Sequence, residues 1–592
     1  MKSNLLQLCV LAAALSTAPA AMSKPLSPAP QASTQAPITA ADFARLSHEF
    51  LEAYWQLEPE YAVAMGRFDL AAKASVPDAA QRQREARFAQ HWLARLQRLN
   101  ASALPAAAQT DLGQILNTLR YQLFGLNELR QWSWDPSAYN IASTLDLLLN
   151  TDYAPLEQRL VDISQRLART PAYYQAARAA LQQPTQVHTE LALEQVPGVL
   201  SVLDEVGRQA ATSTLSPAQR HTLAQRISAA REAVTAYGKH LQALLPQLGG
   251  EHARSFRLGA ALYEPKFAFS IQSALSAEQT YRNALAERER LYTQMEQLAD
   301  QLWSTTMGLS AKPKDRIEKI ARIIDQLSSQ HVRREDFVSA IRAQIPELER
   351  WVAQKDLLSQ DASKPLVVRE TPVYQRGVAG AGIEAPGPYR PQGNTYYNVT
   401  PLDDLTDAEA QSTLREYNHW ILQILNIHEA VPGHYTQLVH ANKSPSLIKS
   451  IFGNDAMVEG WAVYSERMML ESGYGGNAPE MWLMWCKWNL RAVTNTILDY
   501  SVHVLGMERE AALDLLQRQA FQTEREATEK WRRVQLTSVQ LTSYYSGYAD
   551  IMALRQARQD ALGSGFKLKD FHEEFLSHGS APVATIRRLM QR

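Results

Sequence analysis

Cysteine is scarce in this chain: there are two in 592 residues, Cys9 and Cys486. Cys9 falls inside an apolar N-terminal stretch expected to be removed. That leaves Cys486 alone, and no internal disulfide can form. A thiolate zinc site is excluded for the same reason, so any metal must be held by His and carboxylate side chains. Cys486 sits among Trp482, Trp485 and Trp488, the setting of a buried, inert thiol. An excess of charge of one sign is lacking too. The chain carries 60 Lys and Arg against 61 Asp and Glu, for a formal net charge of -1. There is no dense Lys/Arg run and no net basic surface to release counterions, which excludes bulk binding of nucleic acid. No segment repeats with a fixed period, which argues against a solenoid.

Hydrophobic residues make up 45% of the chain. A chain this long can bury a large core and needs no disulfide for stability. At the N-terminus, Lys2 precedes an apolar stretch from Leu5 to Leu15, broken by Gln7, and Ala18-Pro19-Ala20 offers a small-residue cleavage site. The pattern predicts a signal peptide over 1–21, too short to span a bilayer stably. Cys9 lies too early to anchor a lipid. The expected mature protein is therefore periplasmic or secreted, with no membrane span. Residues 22–38, rich in Pro, Ala, Ser and Gln, read as a disordered tether.

Residues 39–592 read as one large, mainly α-helical domain. Thr39 or Asp42 caps a first helix with Phe43, Leu46, Phe50 and Leu51 on one face. Amphipathic spacing recurs at Gln81–Leu99, Ala107–Leu129, Pro155–Gln182, Pro217–Leu245, Ser276–Gln301 and Pro313–Leu327, with Ser276 a cap and Pro313 a first-turn residue. The pattern breaks once. Leu366–Tyr374 and Asn394–Thr400 are rich in β-branched and aromatic residues and flank a Gly/Pro/Ala-rich stretch, Arg376–Gly393. They read as two short strands, a small β-hairpin element joined by a long loop, just upstream of the chemistry.

The strongest local signal is His428-Glu429-Ala430-Val431-Pro432-Gly433-His434. In H-E-x-x-H two His face one metal, and the Glu between them is the general base. Here the second His comes six residues after the first. On a regular helix that is a turn of about 600°, which leaves the rings roughly 240° apart. Pro432 and Gly433 allow a two-residue bulge that restores the facing geometry. The alternative is a helix ending at Val431 with two unrelated polar His. Downstream, Val458-Glu459-Gly460-Trp461-Ala462 opens a further helix. Glu459 is well placed as a third ligand, leaving one position for water. Glu466 or Asp455 could orient a ligand imidazole from behind, or lie on a solvated face.

Lys487, Arg491, Asn495, Asp499 and His503 run four apart through the apolar segment Met481–Leu505. Each step turns only about 40°, so they form one stripe. Such a stripe either satisfies itself by i,i+4 pairs or lines a substrate cleft, with Arg491 for a carboxylate and His503 near the reacting carbonyl. Tyr396, Tyr397, Tyr544, Tyr545 and Tyr548 offer hydroxyls for an oxyanion, though most buried Tyr residues simply pack.

Taken in order, these segments resemble a large bacterial family of exported, uncharacterised proteins regarded as zinc metallopeptidases, a gluzincin-like domain of unknown function. The family pattern is H-E-x-x-P-G-H, E-G-W-A-x-Y-x-E, an Arg followed by D-x-G-x-H, and a late R-Y, P-G-Q-x-x-x-Y-x-x-G. Here these fall at His428–His434, Glu459–Glu466, Arg491 with Asp499–His503, and Arg533 through Gln540 and Tyr544–Gly547. The ordered match spans residues 366–560. The resemblance implies a mainly helical metallohydrolase with His428, His434 and Glu459 as ligands and Arg491, His503 and Tyr544 in the cleft. The chain departs from the pattern at Ser501, Val534, Ser538 and Val539, while its metal motif is complete. The expected function is hydrolysis of a peptide or small amide by one zinc ion per chain, with Glu429 as general base. His503 or Tyr544 stabilises the oxyanion, and Arg491 and Tyr397 bind substrate. The strands near Val368 and Tyr397 offer edges to an extended peptide. A hydrolase of non-peptide amides and a non-catalytic periplasmic peptide receptor are the alternatives, and other divalent ions suit the same ligands.

Overall fold

In a computed structural model, residues 38–250, 253–371, 380–444 and 446–591 are described, and most of them are helical. Side-chain caps set many helix starts. Thr39 and Asp42 form a reciprocal capping box for Ala40–Leu57, as do Ser216 and Gln219 for Pro217–Leu244 and Ser276 and Gln279 for Ala277–Met307. Two expected segments differ in detail. Residues 155–182 divide into Leu156–Leu167 and Thr170–Ala180, with Pro171 in the first turn of the second helix. The helix near Pro313 starts at Arg316 instead, capped by Asp315. Pro197 and Pro346 lie inside the helices Gln186–Thr212 and Phe337–Gln354. Here packing overrides a residue that reads as a breaker.

The expected leader at 1–21 and the tether at 22–37 lie outside the described residues. Among the described residues no helix is long and apolar enough to cross a membrane.

The β-element is more than a hairpin. β1 (Leu366–Glu370), β2 (Ala381–Glu384) and β3 (Thr395–Val399) form one sheet in the order β1-β3-β2. β1 pairs parallel to β3 with Val368 opposite Tyr397, and β2 pairs antiparallel with Ile383 opposite Tyr397. β2 arises within the Gly/Pro/Ala-rich stretch that reads as loop. Residues 372–379 lie outside the described set. Because β3 is central, both its edges are paired, and the strand carrying Tyr397 has none left for a peptide.

The remaining chain supplies the site. In order come His419–Glu429, His434–Ala441, Asp455–Glu471, Pro479–His503, Glu524–Leu536 and Ser543–Leu562. Their shared core holds Trp461, Tyr464, Trp485 and Leu490, all buried. Helices from the first 120 residues pack on this part through Ile448 and Ile451.

The Asp455–Glu471 and Ser543–Leu562 helices cross at two glycines. A Cβ on Gly460 would overlap the backbone of Gly547, and one on Gly547 would overlap the carbonyl of Ala456. This crossing sets Glu459 beside the turn that carries Tyr544. Gly547→Ala should therefore lower unfolding stability by about 1–3 kcal/mol, the cost of overpacking a tight contact. Urea unfolding checks this, and an unchanged midpoint would contradict the contact.

Candidate metal centre

The His419–Glu429 helix ends just after the first motif histidine. Ala430 leaves helical geometry (φ −108°, ψ −92°), and a new helix starts at His434 with Gly433 as its cap (φ −74°, ψ −129°). The chain thus makes a full break between two helices where a bulge within one was expected. The Val431–Pro432 bond is cis. Gly433 N donates to Ile427 O at 3.0 Å, so the turn folds back over the helix end. A Cβ at 433 would overlap the carbonyls of Ile427 and His428; glycine is required by proximity there. The turn is held from the next helix, where Trp461 Nε1 donates to Pro432 O at 2.9 Å.

The break brings the two imidazoles together. The rings of His428 and His434 stand 4.7 Å apart, nearly perpendicular at 88°. Glu459 Oε2 lies 3.7 Å from His428 Nε2 and 3.4 Å from His434 Nε2. The ligand atoms of these three residues all fall within 4.8 Å of one another. Tetrahedral donors about 2.0–2.1 Å from a zinc ion stand roughly 3.4 Å apart. Glu459 Oε2 is buried without a hydrogen-bond partner. A buried acceptor left unsatisfied between two imidazoles is what a divalent cation would satisfy, so the residues fit zinc.

Glu466 has the role for which Asp455 was the other candidate. His428 Nδ1 donates to Glu466 Oε1 at 2.7 Å, and the same oxygen accepts from Trp488 Nε1 at 3.1 Å. With Nδ1 donating to Glu466, Nε2 is the His428 nitrogen turned toward Glu459 and His434. Burial alone would favour neutral His428, but the carboxylates of Glu459 and Glu466, with Glu429 adding, push its pKa up to about 10. Burial likewise opposes ionisation of Glu459, yet the two imidazoles hold its carboxyl well below the usual range.

Tyr544 comes alongside, its ring 6.5 Å from that of His428 and inclined by 23°. Arg533 Nη2 donates to Tyr544 Oη at 3.1 Å and to Gln540 Oε1 at 2.8 Å. Glu429 follows His428 directly and is half-buried. Its charge is felt by both His428 and Tyr397.

The other expected site residues lie in different settings. Tyr397 is fully buried beneath the motif helix, and its hydroxyl donates to Asn426 Oδ1 at 3.0 Å. Arg491 stands between Glu526, with which it forms a close ion pair, and Glu416 at 3.8 Å, and its guanidinium lies 4.7 Å over the Trp488 ring. Its charge is thus met from within the protein, and its link to the metal centre runs through Trp488. Lys487 pairs with Glu416 at 2.9 Å. Asp499 accepts from Tyr263 Oη at 2.7 Å and from Val539 N at 2.9 Å. His503 Nε2 lies 2.8 Å from the carbonyls of Val534 and Thr537, so that nitrogen carries a proton and gives it to backbone. Lys487, Arg491, Asp499 and His503 find partners outside their own helix and not in i,i+4 pairs along it, while Asn495 Oδ1, Asp499 Oδ2 and His503 Nδ1 are buried without a hydrogen-bond partner. Glu416, Glu526, Trp488 and Arg533 carry no local signal of these roles. Only a buried Lys and Arg four apart hinted that acids must face them.

The chain belongs to a family of bacterial proteins of unknown function, DUF885, whose pattern matches residues 59–590. A solved structure from Shewanella oneidensis, described as a "putative lipoprotein of unknown function", is 49% identical over 93% of this chain and 100% of that one, with a TM-score of 0.85. A second, from Colwellia psychrerythraea and described as a "putative lipoprotein", is 19% identical over 93% of this chain and 98% of that one, with a TM-score of 0.74. It shares the fold. An M32 carboxypeptidase from Deinococcus radiodurans R1 superposes over 83% of this chain and 90% of that one with a TM-score of 0.30 at 12% identity, too loosely to bear on fold or activity. A comparison with curated proteins returns no match.

Zinc binds neutral imidazole, whereas metal-free His428 holds its proton well above neutral pH. Loading with zinc should therefore release about one proton per site near pH 7, and affinity should fall as pH falls. Calorimetry in two buffers of different ionisation enthalpy measures this, and a buffer-independent heat would contradict it. Glu466→Gln should weaken zinc binding roughly 10–100-fold, and His428→Ala should abolish it, as read by metal content.

Proposed function

We propose that the protein is an exported, zinc-dependent hydrolase of peptide or amide bonds with Glu429 as its general base. The observation that carries this is the convergence of His428, His434 and Glu459 to within 4.8 Å beside an accessible Glu429. Three protein ligands leave a fourth position open, the arrangement of a catalytic zinc and not a structural one.

A zinc ion held there supplies Lewis acidity and a water acidified toward neutral pH. Glu429 takes the proton of the attacking water and returns it to the leaving amine. Its position next to His428 holds it at the same end of the helix. Glu466, fixed by Trp488, keeps the His428 ring aimed at the centre. Tyr544 Oη accepts from Arg533, which leaves its own proton to donate to the developing oxyanion. Burial, with Glu459 adding and Arg533 opposing, pushes the phenol up to about 12, so it keeps that proton at neutral pH. His503 is less suited to the role, because its Nε2 proton is committed to backbone carbonyls. The leader expected at 1–21 supports export, as do the lipoprotein descriptions of two similar structures.

A panel of peptides and N-acyl amides tests the assignment. Glu429→Gln should keep its zinc and lose roughly 10²–10⁴-fold in kcat. Tyr544→Phe should lose about 10²–10³-fold in kcat with KM little changed. Undiminished turnover in Glu429→Gln sinks the general-base role. Peptide binding without cleavage by the zinc-loaded wild type favours the receptor alternative.

A further inference from the structure

A cavity of about 210 Å³ is bounded by Gln131, Trp134, His188, Lys266, His503 and Gln540. One of its lining residues is linked to Tyr544, because Gln540 accepts from the same Arg533 nitrogen that donates to the Tyr544 hydroxyl. Three cations bear on this region without an acid. Lys266 Nζ donates to Ser538 Oγ at 2.7 Å, and no carboxylate among the described residues comes within the 4.0 Å of an ion pair. The Arg254 guanidinium lies 5.1 Å over the Trp134 ring, its Nε buried without a partner. Arg533 donates to Gln540 and Tyr544 and has no carboxylate within 4.0 Å among the described residues, though Glu526 feels its charge from further away.

Two acids bear on Lys266 from further away. Asp135 accepts from Gln131 and Ser137, and Asp499 accepts from Tyr263 and Val539 through Oδ1 alone, its Oδ2 being buried without a hydrogen-bond partner. The chain has 61 acidic residues for 60 basic ones, so carboxylates are not in short supply. Elsewhere in the interior they are used, as at Lys487 and Glu416. Lys266, Arg254 and Arg533 are half-buried; a partly desolvated cation without an ion-pair partner carries a cost, and burial lowers the pKa of the Lys266 ammonium, with Asp499 and Asp135 opposing. An anion entering from outside would relieve that cost. His503 Nδ1, buried and without a partner, adds an acceptor for an N–H of the same ligand.

We propose that this cavity recognises a carboxylate of the substrate, with Lys266 as its counter-charge, Arg254 reinforcing it and His503 Nδ1 accepting from an adjacent amide. The carboxylate is either an acidic side chain or a chain terminus. Its link to turnover rests on the hydrolase assignment; the binding does not.

The test is calorimetric binding to the full mature chain of three probes: N-acetyl-L-glutamine, N-acetyl-L-glutamate α-amide and N-acetyl-L-glutamine amide. The first carries only a terminal carboxylate, the second only a side-chain one, the third neither. At least one carboxylate probe should bind tenfold or more tighter than the neutral probe, and which one does identifies the source. Lys266→Met should erase that preference and Lys266→Arg restore most of it, both with wild-type thermal melts. The preference should persist in metal-free His428→Ala. Equal binding of all three probes overturns the proposal. So does a preference that survives Lys266→Met and vanishes in His428→Ala, since the carboxylate would then be ligating the metal. A Lys266-dependent preference in a protein that cleaves nothing leaves the cavity standing and the hydrolase assignment fallen. Cleavage without any such preference does the reverse.

Discussion

The carbonyl oxygens of Ile427 and His428 occupy the space that a side chain at position 433 would need, and the Gly433 amide donates into the same helix end. The spacing of the motif can work because of this close approach. Six residues of continuous helix would send the second imidazole away from the first. Ending the helix, folding the backbone tightly over its last turn and starting a second helix at His434 turns the ring back. The turn is buttressed by Trp461, two residues after Glu459. The helix that supplies Glu459 thus also fixes the geometry of the two histidines, and the Gly460–Gly547 crossing brings Tyr544 to the same place.

Charge is handled in layers around that point. Nearest the centre, Glu459 and Glu466 flank His428, one at each ring nitrogen. Behind them Trp488 joins Glu466 to Arg491, which stands between Glu416 and Glu526. Each buried charge there meets an opposite one, as low-dielectric surroundings require. Lys266, Arg254 and Arg533, all half-buried, have no carboxylate within ion-pair distance among the described residues.

Much of this was legible in the residues. Apolar spacing and caps at Thr39 and Ser276 marked the helices, because hydrogen bonds within three residues are local. The clustered residues His428, His434 and Glu459, and Glu466 behind His428, could be picked out as residue types in order. The sheet was legible only in part. Its first and last strands carry β-branched residues, but β2, with Ala381 and Gly382, has no local preference for strand and forms because β3 offers an edge. Tyr397, Arg491 and His503 looked like cleft residues because polar groups in apolar segments need partners. Nothing local could say that the partners were Asn426, Glu526 and the carbonyls of Val534 and Thr537.

By itself the sequence determined the helical class and the set of His and carboxylate donors available to a metal. These follow from composition and from interactions within a turn or two of helix. Tertiary structure alone decided that the two histidines face each other across a broken helix, that Glu466 and not Asp455 backs His428, and which partners outside their own helix Lys487, Arg491, Asp499 and His503 meet. It also left Lys266 at a cavity with no carboxylate in ion-pair distance among the described residues. Each of these depends on contacts between residues far apart in the chain, where packing and burial, not local preference, choose the partner.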